Sequence, residues 1–219
     1  MTRRAARRRR RAAHVAVLSV GTVLGGIVLA RLLPAGRPFR SSLSIVLAYS
    51  SLAALLATLA VGSLKLLRGR PNPRSTDLRR DLGLWSASAG LTHVVLSLGN
   101  HMGGDVGRYF FAGGEAAVGQ IRRDAFGLGV WTAVPATAIL VLLAAISNDR
   151  SVRWLGRRWK QLQRANYVLV PLVLAHTALF WLAQRRTPIL WAATATAALV
   201  TAGLQQQGFA RIRRQRDPA

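Results

Sequence analysis

Six apolar stretches of membrane-spanning length constrain this chain more than any other feature of its sequence. About 20 apolar residues in an α-helix are enough to cross a hydrocarbon core about 30 Å thick. The helix is the default there because it satisfies its backbone polar groups internally. The stretches predict helices at Ala12–Leu33, Ser44–Leu64, Leu82–Gly99, Ala125–Ile146, Ala165–Ala183 and Pro188–Leu204. We therefore predict an all-α polytopic membrane protein, folded as a six-transmembrane-helix bundle.

The length of the chain leaves little beyond these spans. Its 219 residues divide into a basic tail at 1–11, a six-helix transmembrane domain at 12–204 and a basic tail at 205–219. The absence of Cys excludes disulfides, iron–sulfur clusters ligated by cysteine and thiolate haem, and leaves His as the natural ligand for a transition metal. The seven acidic residues lie outside the predicted spans, which argues against a proton-coupled transporter and against a hydrolase with paired carboxylates.

The net charge of +24 reflects membrane topology rather than nucleic-acid binding. Of the 31 Lys and Arg, 23 lie in the two tails and in segments 65–80 and 150–164, and eight lie on the alternate side. The positive-inside rule then places both termini in the cytoplasm and the protein in the inner, cytoplasmic membrane. The N-terminal arginines before an apolar run also fit a signal peptide, but the lack of a clear small-residue cleavage site favours a retained first span.

Two histidines, His93 and His176, lie in the middle of the third and fifth stretches. Each follows the last charged residue before its stretch, Asp81 or Arg164, by twelve positions. That spacing corresponds to a depth of about 18 Å in the bilayer, and both stretches are predicted to enter from the same side. An ionisable side chain inside a membrane usually has a partner or a function. Two neutral imidazoles at one depth predict an axial ligand pair for haem iron; the alternative is a pair of hydrogen-bonded packing residues.

Small residues share the helix face of His93, and apolar residues surround His176. The face of His93 carries Ser86, Ala89, Gly90 and Ser97. We interpret it as room for a flat macrocycle, with close helix–helix packing as the alternative. The surroundings of His176 are predicted to form an apolar wall for a porphyrin face and comprise Leu169, Leu172, Val173, Leu179 and Phe180.

The remaining polar residues receive weaker predictions. His101 is interpreted as an interfacial loop residue, with a second metal or a substrate as the alternative, and His14 has no assigned role. Asp81 and Asp124 are predicted N-caps of spans three and four. Apolar residues between basic ones predict an interfacial amphipathic stretch at Asp149–Arg164. Five arginines are candidates for pairing with haem propionates, with simple loop solvation as the alternative: Arg108, Arg122, Arg123, Arg185 and Arg186.

Two motifs resemble the ferric reductase-like transmembrane family over roughly residues 42–204. The first is RRDLGLW at Arg79–Trp85, which leads to Leu91–His93. The second is the run SNDRSVRWLGRRWKQL at Ser147–Leu162, after which Tyr167 and His176 follow at the family's spacing. The resemblance implies a six-helix bundle that binds b-type haem and transfers electrons across the membrane. It also implies that His93 and His176 are the ligand pair of the haem nearer the outer side.

The chain departs from the family at the second haem. Where many members carry the other two histidines, this sequence has Arg79 and Gln163, so we expect one haem b rather than two. The donor would be a quinol or a docked flavoprotein inside, supplying quinone or flavin, and the acceptor a metal chelate or a partner reductase outside. Membrane lipid is the other expected partner. Two alternatives remain open, a quinol-dependent ferric reductase that acts alone and a haem-free membrane scaffold.

Overall fold

The computed structural model describes residues 2–34, 36–69, 73–112, 119–184 and 187–216. Within these residues the chain forms helices and no strand, apart from one isolated bridge between Phe111 and Ile121. The helices are α1 (Arg3–Leu32), α2 (Phe39–Leu67), α3 (Pro73–Asn100), α4 (Gly107–Phe110), α5 (Ala125–Ala145), α6 (Asp149–Leu155), α7 (Arg157–Gln163), α8 (Asn166–Gln184) and α9 (Pro188–Arg216). A short 3-10 turn at Met102–Gly104 follows α3.

Six helical segments of the described chain are long and apolar enough to cross a membrane, and they correspond to the six predicted spans. The protein is therefore a multi-pass membrane protein, and the predicted all-α fold class is confirmed. The helices extend beyond the predicted ends: α3 begins at Pro73 rather than Leu82, and α9 continues to Arg216. Arg, Lys and Gln are good helix formers, so the helices continue past the apolar stretch into basic sequence.

Helix α2 lies at the centre of the bundle, where it contacts α1, α3, α8 and α9, while α5 packs mainly on α8. The closest approach is between α2 and α3. Ser51 donates to the carbonyl of Ser86 at 2.8 Å, Ser86 donates to that of Ser51 at 2.9 Å, and a Cβ on Gly90 would lie 2.8 Å from the Ser51 hydroxyl. Small residues permit this approach. The interpretation of Ser86 and Gly90 as room for a macrocycle is therefore wrong, because α2 occupies that space.

The predicted amphipathic stretch folds as two short helices, α6 and α7, which meet at Gly156. Gly156 has a φ of +52°, a conformation that glycine adopts without steric cost. Leu155, Trp159 and Leu162 pack against a core centred on Leu169, which is fully buried. Trp154 is instead 84% exposed, so the two tryptophans of this stretch lie in different environments.

The structure changes the role of Asp81. The predicted N-cap lies inside α3 and inside the candidate span Asp77–Asn100, so the prediction that all acidic residues lie outside the spans is also wrong. Its carboxylate is 3% exposed and accepts hydrogen bonds from Arg11 Nε and His14 Nδ1, each at 2.8 Å. A carboxylate is buried when such partners satisfy it. The other predicted cap is confirmed, because Asp124 accepts from the Gly127 amide at 2.8 Å.

Candidate functional site

The two mid-membrane histidines face each other across the bundle. His93 lies on α3 and His176 on α8, and their ring centroids are 6.4 Å apart with the ring planes at 77°. They share one cavity of about 140 Å³. The structure therefore brings together His93 and His176. The sequence predicts these two residues at one depth, because each follows the last charged residue before its stretch by the same number of positions.

Backbone packing determines the proton position on His93. Its Nδ1 lies 2.9 Å from the backbone carbonyl oxygen of Ser44 on α2 and 3.0 Å from the Ser44 hydroxyl. A carbonyl oxygen can only accept, so Nδ1 of the neutral ring carries the proton and donates it. The lone pair then lies on Nε2, the tautomer that metal-ligating histidines adopt when the other nitrogen donates to a carbonyl. Ser97, one turn further along α3, shares hydrogen bonds with both the Ser44 hydroxyl and the ring.

His176 has the same arrangement on the other side of the cavity. Its Nδ1 donates to the backbone carbonyl of Gly129 on α5, at 2.8 Å. Phe180, one turn further along α8, packs on the imidazole with ring centroids 4.7 Å apart. A Cβ on Gly129 would lie 2.7 Å from the Phe180 ring, so only glycine permits α8 to approach this closely. Both imidazoles are thus oriented by backbone carbonyls of the neighbouring helices.

The predicted apolar wall around His176 is divided between two places. Leu169, Leu172 and Val173 pack into the core around α6 and α7, whereas Phe180 lines the histidine cavity. The wall prediction is therefore wrong for these three core residues, because they lie on the turns of α8 that face this core. The cavity is instead lined by apolar residues that the sequence did not single out, from α2 and α5: Ile45, Ala48, Leu52, Val130 and Ala133.

The end of the cavity near the α3–α5 loop is polar. His101 lies directly after α3, lines the cavity, and packs edge-on against Phe126 with ring centroids 5.6 Å apart. The nearby Tyr109 is 3% exposed, and its hydroxyl donates a hydrogen bond to the Ser97 carbonyl, at 2.7 Å, near the end of α3. Burial raises the pKa of Tyr109, so the hydroxyl stays protonated and can donate a hydrogen bond. The sequence did not single out Tyr109, because its loop carries no periodic pattern.

The three predicted arginines that the structure describes do not line the cavity. Arg122 forms an ion pair with Asp124 at 2.8 Å and lies over the Phe126 ring, 4.6 Å from its centroid. Arg108 and Arg123 are exposed, and the predictions for residues 185 and 186 lie outside the described residues. The arginine that lines the cavity is Arg37, together with Asn100 and Gln184. Sequence analysis missed Arg37, whose position depends on how the α1–α2 loop folds onto α3.

The residues present fit a haem iron. A metal–imidazole nitrogen bond is about 2 Å long and the ring centroid lies about 1 Å behind the nitrogen, so two imidazoles on opposite sides of a metal have centroids about 6 Å apart. The observed 6.4 Å matches that separation. Nδ1 donates in both rings, so Nε2 is the atom that would ligate a metal, and apolar side chains border the rings. Ala48 and Ala133 are small, as the space beside a flat macrocycle requires.

No family model matches the chain, and no solved structure matches it.

Proposed function

We propose that this protein binds b-type haem and transfers electrons across the membrane to an acceptor on its outer side, as a ferric reductase-like membrane protein. The observation that carries the proposal is the facing pair His93 and His176, with ring centroids 6.4 Å apart and both Nδ1 atoms donating to backbone carbonyls. Two imidazoles supply only two of the ligands that a metal needs. A porphyrin supplies the remaining four nitrogens itself, so a haem suits this pair.

Each residue of the site would have a defined role. His93 and His176 would hold the iron through Nε2, and the bound haem would supply one-electron chemistry. Two histidine ligands would favour electron transfer over oxygen binding. The carbonyls of Ser44 and Gly129 orient the rings and raise their basicity. Phe180 and the apolar residues of α2 and α5 would border the haem beside the pair.

We further propose a location and a direction for the electron transfer. The positive-inside rule places the protein in the cytoplasmic membrane with both termini inside. The polar end of the cavity, at Arg37, Asn100 and His101, would then face the outer side, towards a metal chelate or a partner reductase. The donor would be a quinol or a docked flavoprotein on the inner side. One haem is proposed, because the chain has a single facing histidine pair among its four His.

Haem titration and redox difference spectra of the detergent-purified protein test the proposal. We expect about one low-spin b haem per chain, lost or converted to high spin in His93→Ala and in His176→Ala. His101→Ala is the matched control, because it removes a histidine that lines the same cavity but is not one of the two proposed ligands. It should retain low-spin haem. A well-folded protein without haem would contradict the proposal and favour a haem-free scaffold, and two haems would contradict the single-haem assignment.

A further inference from the structure

A second and larger cavity, of about 690 Å³, lies at the opposite end of the bundle from His101. Arg79 of α3 and Gln163 of α7 both line this cavity. The sequence predicts that both residues lie on the cytoplasmic side of the membrane. Six basic side chains line the cavity: Arg7, Lys65, Arg79, Arg80, Lys160 and Arg164. Two carboxylates, Asp77 and Asp149, accompany them. The cavity therefore has an excess of positive charge at the end of the spans.

The two carboxylates are already paired. Asp77 lies 3.1 Å from Arg7, and Asp149 lies 2.5 Å from Arg80 and 3.2 Å from Arg7. Among the residues that the structure describes, the other four cations of the cavity have no carboxylate at salt-bridge distance. These four are Lys65, Arg79, Lys160 and Arg164. Like charges around one cavity repel each other, so an anionic ligand would stabilise this arrangement.

A buried donor points to the same kind of ligand. The side-chain amide nitrogen of Gln163 is buried and has no hydrogen-bond partner within the described chain. A buried donor left unsatisfied costs about 1–3 kcal/mol, and it would be satisfied by an oxygen acceptor in the cavity. Arg79 is held in place because its Nε donates to the backbone carbonyl of Thr58 at 3.2 Å. Arg and Lys beside an amide donor are the groups that bind phosphate oxygens.

Apolar side chains line the cavity beside the charged and polar ones, which distinguishes the ligand from a free anion. Its apolar lining comes from α2, α5 and the C-terminal part of α9 and includes Leu55, Leu66, Leu140, Leu143 and Phe209. A volume of about 690 Å³ is also far larger than a phosphate group needs. A ligand that matches both the basic and the apolar parts of the lining has an anionic head and hydrocarbon chains.

We propose that this cavity binds an anionic phospholipid. Its phosphate would lie among Arg79, Lys160, Arg164 and the Gln163 amide, and its acyl chains would lie along Leu140 and Leu143. Basic pockets between transmembrane helices on the cytoplasmic side commonly bind anionic lipid head groups. The site does not depend on the histidine pair, so the inference is independent of haem binding.

Lipid titration of the full-length, delipidated protein, followed by native mass spectrometry, tests the site. We expect phosphatidylglycerol to bind at least tenfold more tightly than phosphatidylcholine of the same chain length. Gly83→Leu should weaken phosphatidylglycerol binding at least tenfold, because Gly83 lines the cavity and a Cβ there meets no atom within 4 Å. The new side chain would fill the ligand's space, and leucine favours the helix more than glycine does.

Matched variants make the result specific. Gly203→Leu on α9 is the control for Gly83→Leu, since a Cβ on Gly203 also meets nothing within 4 Å and Gly203 does not line the cavity. Arg164→Gln should weaken phosphatidylglycerol binding, whereas Arg153→Gln, an exposed residue outside the cavity, should not. Equal binding of the two lipids, or unchanged binding to Gly83→Leu, would overturn the proposal. Inorganic phosphate that binds as tightly as the lipid would show a free-anion site instead.

Discussion

At the scale of single residues, the buried carboxylate of Asp81 shows how α1 is attached to the bundle. Only 6% of the apolar window of α1 is buried inside the protein, and its helix contacts are with α2 and α3. Lipid tails are as apolar as leucine, so apolar contact alone gives such a helix little reason to associate. The hydrogen bonds from Arg11 and His14 to Asp81 supply a specific attachment, together with the ion pairs from Arg7 to Asp77 and Asp149.

Asp81→Asn should loosen α1 without unfolding the other helices. Loss of a charge-assisted hydrogen bond costs about 1.5–3 kcal/mol, reduced here because Arg11 is 40% exposed. Hydrogen exchange should therefore become faster in α1 and remain unchanged in α5 and α8. Asp77→Asn is the comparison, since Asp77 pairs with Arg7 and Arg10 of α1 but is 15% exposed, so its loss should loosen α1 less. Equal protection of α1 in wild type and Asp81→Asn would show that the other contacts of α1 hold it without Asp81.

The start of α5 depends on one exposed carboxylate. Asp124 caps the helix through the Gly127 amide, and the hydrogen bond from Arg122 holds the pKa of Asp124 below its ordinary value of 3.8. A depressed pKa in the folded state means that the carboxylate stabilises the fold above pH 3.8, and that this stability is lost as the pH falls through the lowered pKa. The cap is the larger contribution, because the side chain is 53% exposed and the ion pair is screened.

Asp124→Ala should destabilise the protein by about 1 kcal/mol, measured as a lower thermal midpoint in detergent at neutral pH. Asp124→Asn separates the two effects, because asparagine caps as well as aspartate but has no charge. It should keep most of the stability while losing the part that depends on pH below about 4. A midpoint in Asp124→Ala equal to that of wild type would show that the end of α5 is held by tertiary contacts instead.

At the scale of helices, the candidate site depends on how closely α5 and α8 approach. Gly129 lies directly against Phe180, and the Gly129 carbonyl accepts a hydrogen bond from His176 Nδ1. A side chain at position 129 would push α8 outwards and move His176 away from both the Gly129 carbonyl and His93. Glycine here thus sets the position of a histidine that lies 47 residues further along the chain.

Gly129→Ala should therefore lower both stability and haem content. An extra methyl group in a packed interface costs about 1–3 kcal/mol, and we expect a lower thermal midpoint together with a partly high-spin spectrum. Gly203→Ala is the matched control, because a Cβ there meets nothing within 4 Å and α9 does not line the histidine cavity. A low-spin spectrum of full intensity in Gly129→Ala would show that α8 adjusts without moving the imidazole.

At the scale of the whole molecule, the basic residues divide the protein into two unlike ends. Basic residues from α1, α2, α3 and α7 line the larger cavity, and the histidine cavity ends near the loop between α3 and α5. By the positive-inside rule, we propose that the first end faces the cytoplasm. Every proposal about donor, acceptor and lipid depends on this orientation.

Single cysteines test the orientation directly, because the natural chain has none. Gln120→Cys lies in the loop between α3 and α5, and Gln161→Cys lies on α7; both glutamines are exposed. In intact cells a membrane-impermeant maleimide should label Gln120→Cys and should label Gln161→Cys only after permeabilisation. The reverse pattern would invert the topology and with it the proposed direction of electron transfer.

The sequence alone predicted the helices, the depth of the two histidines and the Asp124 cap. Each depends on neighbours along one helix: apolar length, a fixed rise per residue and a side chain three positions from the amide it caps. The tertiary structure decided which atoms those side chains meet. The Ser44 and Gly129 carbonyls that orient the imidazoles, and the Arg11 and His14 partners that bury Asp81, come from other helices. Their positions depend on how closely the helices pack, which no local pattern in the sequence encodes.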